Sequence, residues 1–151
     1  MKTFFWFVMI LMLSTAMAFG ADGLVTMKSP YSAQVTMERL ESVVKEKELT
    51  IFARIDHAKG AEKIGKTLRP TEVILFGNPQ GGTPFMECVQ TVGIDLPLKV
   101  LVWEDASGQV WLGYNDPGYL AQRHGTSTNE CVVVGNLSKA LANIAGRVTG
   151  P

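Results

Sequence analysis

The sequence is short of most of the residues that announce a chemistry. Its 151 residues include two Cys and two His. Two Cys are too few for a disulfide-rich mini-scaffold or a four-Cys zinc site. Neither sign of charge is in excess, with 14 Lys+Arg against 14 Asp+Glu. That balance argues against a dedicated nucleic-acid binder and against a charged disordered tail. There is no Gly-X-Ser-X-Gly nucleophile motif, no Cys-X-X-Cys pair and no glycine loop ending in Gly-Lys-Ser/Thr. No carboxylate pair stands out as a glycosidase couple, and there is no internal repeat, low-complexity tract or linker.

Long hydrophobic runs are also scarce. The one clear run, Phe4 to Leu13, follows Lys2 and precedes Ser14, Thr15 and Ala16-Met17-Ala18. A positive start, a short apolar run and small residues together read as a secretory signal peptide over residues 1–20, cleaved after Ala18 or Gly20. The run is too short to span a bilayer, which takes about 20 apolar residues. Neither Cys lies near it, so a lipoprotein anchor is not supported. Residues 21–151 then form one domain, long enough to bury roughly two-thirds of its unfolded surface. The expectation is a soluble protein exported to the periplasm or beyond the cell, with no membrane anchor after cleavage and no nucleic-acid partner.

Within that domain, Leu24 to Lys28 reads as a strand. Ser32 is an N-cap for a helix carrying Met37, Leu40, Val43 and Val44 at helical spacing. Leu49 to Asp56 alternates, with Leu49, Ile51, Ala53 and Ile55 on one face. Ala58 to Lys66 is a short helical stretch and Glu72 to Phe76 a central strand. The Gly77–Gly82 loop leads to Thr83 as cap and Pro84 as first helical residue. Leu98–Glu104 and Gln109–Tyr114 form a hairpin across Asp105-Ala106-Ser107-Gly108. Tyr119 to His124 gives one or two helical turns, and Val134 to Val148 has helical spacing with Gly135 as a candidate break. About five strands and four helices in this order predict an α+β two-layer sandwich, a mainly antiparallel sheet with helices on one face.

Several segments in the right order carry a family resemblance: Phe52-Ala53-Arg54-Ile55-Asp56-His57, Leu68 to Pro79 with Gly82-Thr83-Pro84, Ile94-Asp95-Leu96-Pro97-Leu98, Trp103-Glu104-Asp105 and Tyr114-Asn115-Asp116-Pro117. Over roughly Gly23 to Gly146 the chain resembles the domain of unknown function 302 family. The resemblance implies a compact α+β domain that pairs as a homodimer. It implies no activity and names no cofactor.

The candidate site is placed at Arg54, Asp56 and His57 together with Asn78, Gly82 and Thr83. His57 titrates near neutral pH and can act as base, acid or ligand, with Asp56 orienting it or capping the next helix. The glycine loop leads to a helix N-terminus, where free N–H groups favour an anion. The leading expectation is a non-enzymatic domain that binds a small molecule or a partner protein in a pocket between Asp56-His57 and the Gly77–Thr83 loop. The alternatives are an enzyme using His57 as general acid/base beside Asp56, and a metal or redox protein using His57, His124, Cys88 and Cys131. His124 invites a two-His site with Asp56, Asp95 or Asp116, but no ligand spacing supports it. Cys88 and Cys131 either pair or remain two separate buried thiols. Trp103 and Trp111 can meet across the hairpin if the register allows.

Overall fold

The structure, a computed structural model, describes residues 21–151. The signal-peptide reading of residues 1–20 lies outside them. Five strands, β1 (Leu24–Ser29), β2 (Thr50–Asp56), β3 (Thr71–Gly77), β4 (Leu98–Glu104) and β5 (Val110–Asn115), form a single sheet in the order β1-β5-β4-β3-β2, every pair antiparallel. β2 to β5 run as a meander. β1 sits on the far edge, so α1 (Ala33–Glu46) carries the chain across the sheet to β2.

α1 starts where Ser32 accepts a hydrogen bond from the Val35 N–H at 3.3 Å. Its buried stripe of Met37, Leu40, Val43 and Val44 lies on the same sheet face as α5 (Val132–Thr149), which contributes Leu141, Ile144, Ala145 and Val148. Beneath them Ile74, Phe76, Val100, Val102, Val110, Leu112 and Tyr114 alternate inward from β3, β4 and β5, as period-2 strands require. Arg39 fixes the far end of α5. Its guanidinium donates to the carbonyls of Val148, Arg147 and Gly150 and lies 4.3 Å from the centre of the Tyr31 ring. A helix C-terminus leaves its last carbonyls unpaired, and a cation there also suits the dipole.

A second, smaller core lies beside the first. Phe85 of α3 (Pro79–Cys88), Val92, Leu120 and Ala121 of α4 (Pro117–Arg123), Cys131 and Val134 pack together. Cys88 and Cys131 are joined by a disulfide there, with Cα atoms 5.9 Å apart and a sequence separation of 43.

Three local expectations are corrected. The third helix begins at Pro79 rather than Pro84, because Asn78 accepts from the Gly81 N–H at 2.9 Å and caps it first. Thr83 and Pro84 lie inside that helix. Gly135 does not break α5. Its cost of about 1 kcal/mol is outweighed by the apolar stripe that follows. In β2 the predicted common face is split by a bulge between Ile51 and Ala53. Ile51 packs on the core. Ala53 and Ile55 pair with Leu75 and Val73 on the opposite side of the sheet, and Phe52 is left outside, 56% exposed.

Among the described residues no long helix lies over that opposite side. Ile55, Val73 and Leu101 form one row across β2, β3 and β4, and Thr71, Trp103, Trp111 and Lys28 form another. The two indoles stack with centroids 6.3 Å apart. Trp103 also covers Gly113, where an added Cβ would meet the ring at 2.9 Å. Asp105 holds the hairpin end, accepting from the Ser107 hydroxyl and N–H, the Trp111 indole N–H and the Gln109 N–H. These donors keep its carboxyl well below the usual aspartate range, the Ser107 hydroxyl contributing most.

Replacing both Cys88 and Cys131 by Ser should lower stability by roughly 4 kcal/mol on the chain-entropy account of a loop this long, read from urea unfolding of the oxidised protein against the variant. Gly113→Val should displace Trp103 and weaken the near-ultraviolet circular dichroism of the indole pair.

Candidate functional site

Antiparallel pairing decides where the predicted site residues go. Thr50, at the start of β2, pairs with Gly77 at the end of β3, and Asp56, at the end of β2, pairs with Glu72. The Asp56-His57 pair and the Gly77–Thr83 loop therefore lie at opposite ends of the same strand pair, on the order of 20 Å apart at the usual rise per strand residue. A pocket between them, the expectation from sequence, does not exist. Both segments flank β2 and β3, but neighbours along the chain are not neighbours at the same sheet end.

At one end, Asp56 caps α2 (His57–Glu62), accepting from the Lys59 N–H at 2.9 Å. That bond is the main reason its carboxyl is held below the usual aspartate range. Near neutral pH it is an anion committed to the backbone, not a proton donor. His57, the first residue of α2, is exposed and has no hydrogen-bond partner among the described residues. Arg54 points back over the helix side, pairing with Glu72 and with Glu41 of α1. Glu72 is the larger cause of its raised pKa. Arg54, Asp56 and Glu72 line a shallow, strongly charged cleft of about 670 Å³ with Lys59, Glu38 and Glu104. Its two cations are already engaged, Arg54 with Glu41 and Glu72 and Lys59 with Asp56.

At the other end is a different space. The start of β2 (Leu49, Phe52), the end of β3 (Phe76, Gly77), α3 (Gly81, Gly82, Thr83, Met86), Leu96 to Leu98 and α5 (Leu137, Ala140, Leu141, Ile144) enclose an apolar cavity of about 440 Å³. Among the described residues that line it, Asn78 and Thr83 carry the only polar side chains. Asn78, Gly82 and Thr83 thus lie together on the rim of an apolar space, without Asp56 or His57. The bulge at Phe52 and the early helix start at Pro79 create the cavity, and neither is visible in the alternation pattern.

His124 is the C-cap of α4. Its Nε2 lies 2.8 Å from Asp95 Oδ2 and its Nδ1 2.9 Å from Thr91 Oγ1, while Arg123 pairs with the same Asp95 carboxylate at 3.0 Å. Sequence reasoning named Asp95 beside His124 as a metal partner. The structure shows instead a hydrogen-bonded clamp with both ring nitrogens committed. Among the described residues no group of three or more His, Cys, Asp or Glu is placed to hold a metal ion.

The family profile described as "Domain of unknown function DUF302" matches residues 25–144. The chain belongs to that family. A solved structure titled as an uncharacterized conserved DUF302 protein from Bacillus stearothermophilus superposes with a TM-score of 0.75 at 21% identity, covering 85% of this chain and 99% of that one. That similarity shows the fold. Two curated relatives, from Brucella suis biovar 1 (strain 1330) and Brucella abortus biovar 1 (strain 9-941), are each named "Fluoride-specific ion channel FluC 1". Each is 46% identical over 128 residues, which is 85% of this chain but 49% and 46% of the relatives respectively. The chain thus spans about half the length of the curated relatives it matches.

These names correct the expectation drawn from the sequence. An exported, soluble, periplasmic or extracellular domain, binding a ligand at a polar site or working as a His57 enzyme or a metal or redox protein, is overturned by relatives named for an ion channel, a membrane protein. The apolar start of the chain pointed the reading toward secretion. No helix among the described residues is long and apolar enough to cross a membrane.

Asp56→Ala should cost about 1 kcal/mol, the usual worth of a side-chain cap. Because the folded carboxyl is held below its unfolded value, the capping stabilisation is complete above the ordinary aspartate range and fades as pH falls. The stability gap between wild type and variant should therefore shrink in acid, as followed by urea unfolding at several pH values.

Proposed function

We propose that this chain serves fluoride-specific ion conduction as a domain outside the bilayer, working beside a membrane-spanning channel portion. The observation that carries this reading is the 46% identity over 128 residues to relatives named for that activity. An ion path through a bilayer requires spanning helices or a closed barrel. Most of the matched stretch falls within the α+β domain, where no helix is long and apolar enough to cross. On this reading the conducting path is built elsewhere and this domain associates with it. The open face bearing Ile55, Val73, Leu101, Trp103 and Trp111 supports an associating role, since contiguous apolar surface of this kind marks interaction sites. We also propose that this face pairs two copies of the chain, residue by residue across a two-fold axis.

The reading is tested by removing the gene from its host. Growth in fluoride should stop at a several-fold lower concentration than for the parent, growth in matched chloride should be unchanged, and the intact gene should restore tolerance. Unchanged fluoride tolerance would overturn it. For the pairing, wild-type protein should sediment as a dimer and Leu101→Glu as a folded monomer. A wild-type monomer would refute it.

A further inference from the structure

We infer that the apolar cavity between α3, α5 and the β2 end of the sheet is a binding site for a neutral single-chain lipid, such as a long-chain alcohol or a monoglyceride. This goes beyond the fluoride reading and does not rest on it.

The volume is the first argument. About 440 Å³ stands open to one side, within the range of small-molecule sites. The wall is the second. Its inner side is core: Phe76, Leu141 and Ile144 are at most 1% exposed, so it is held by the packing of the whole sheet. The mouth is formed by exposed Phe52, Met86 and Ala140. The space is therefore a dead-ended slot with a rigid back and an open front, which suits a chain-like apolar molecule entering end first.

Bare backbone at Gly77, Gly81 and Gly82 keeps the slot clear. A Cβ on Gly81 would press Leu137 at 3.1 Å.

The head-group chemistry follows from what lines the slot. No charged side chain is among the lining residues. A carboxylate or ammonium buried there would have no counter-charge and would cost several kcal/mol or neutralise. The polar groups along the slot are the half-buried Asn78 amide and the exposed Thr83 hydroxyl. Asn78 Oδ1 already accepts from Gly81, leaving the amide N–H₂ as a donor. The Thr83 hydroxyl both donates and accepts. Both groups are neutral, so they suit an uncharged polar head rather than a charge that needs a counter-ion.

The test uses N-phenyl-1-naphthylamine, a neutral apolar fluorophore, titrated into the protein. Its emission should rise to saturation at one site per chain. 1-Dodecanol, kept below its solubility limit, should displace it, and sodium dodecanoate, below its micelle concentration, should be at least tenfold weaker. Ala140→Trp places an indole across the mouth at an exposed helix position and should weaken probe binding at least tenfold. Val132→Trp, 76% exposed on the same helix and outside the slot, should not. Circular dichroism should show both variants folded. An unsaturable signal, binding unaffected by Ala140→Trp, or dodecanoate competing as well as dodecanol would each overturn the assignment. None of these results bears on fluoride tolerance, so the two readings fail separately.

Discussion

Two helices covering one face of a five-stranded antiparallel sheet is the constraint from which the other features follow. α1 and α5 deliver Met37, Leu40, Val44, Leu141, Ile144 and Val148, all at most 1% exposed, onto Ile74, Phe76, Val100, Val102 and Leu112. Each such side chain contributes roughly 1.5–3 kcal/mol of burial. Removing one leaves a cavity, and the neighbours relax only in part. Because all of this burial is on one side, the sheet's other face remains available. The clamp of Arg39 on the last carbonyls of α5 locks the two helices together at one end. The first half of α5 packs on α3, and the cavity opens between these two helices and the start of β2.

The bulge in β2 has a disproportionate effect. One additional residue between Ile51 and Ala53 reverses the facing of everything after it. Arg54 is thereby turned toward Glu41 and Glu72, on the helix side. Ile55 joins Val73 and Leu101 on the open side, and Phe52 is extruded to the rim of the cavity. A regular strand would bury Ile55 and turn Arg54 outward. The place of Arg54 in the charged cleft, of Ile55 on the open face and of Phe52 at the cavity mouth all depend on that one irregularity.

Much of the fold was readable because its signals are local and periodic. Ser32 before a 3.6-residue stripe and the Asp105–Gly108 turn between two apolar strands each specify an element within a few residues, whereas α4 begins at Pro117, capped by Asp116, two residues before the Tyr119 start that the spacing gives. Where two local signals compete, as with Asn78-Pro79 and Thr83-Pro84, the choice depends on which cap reaches its N–H, and only the three-dimensional structure shows it. The candidate site was less legible. Segments that flank the same two strands in sequence need not share a sheet end, and the antiparallel register separates Asp56 from Thr83. The His124–Asp95–Thr91 clamp joins residues about 30 positions apart with no periodic trace. The apolar run at the start of the chain suggested export. Nothing in the α+β portion shows a link to ion channels, because that link comes from relatives whose remaining half is absent from the match.

The sequence has three tryptophans, and residues 21–151 hold two of them, Trp103 and Trp111. They are stacked on the same uncovered face of the sheet, with Lys28 lying 5.4 Å from the Trp111 ring centre. The indole emission of this domain therefore originates from one patch rather than from the core. Any molecule that settles on the patch changes the polarity around both fluorophores and shifts the emission colour. A guest in the slot near Phe52 leaves that colour unaltered. The domain thus carries a built-in optical reporter that distinguishes events on its open face from those in its interior.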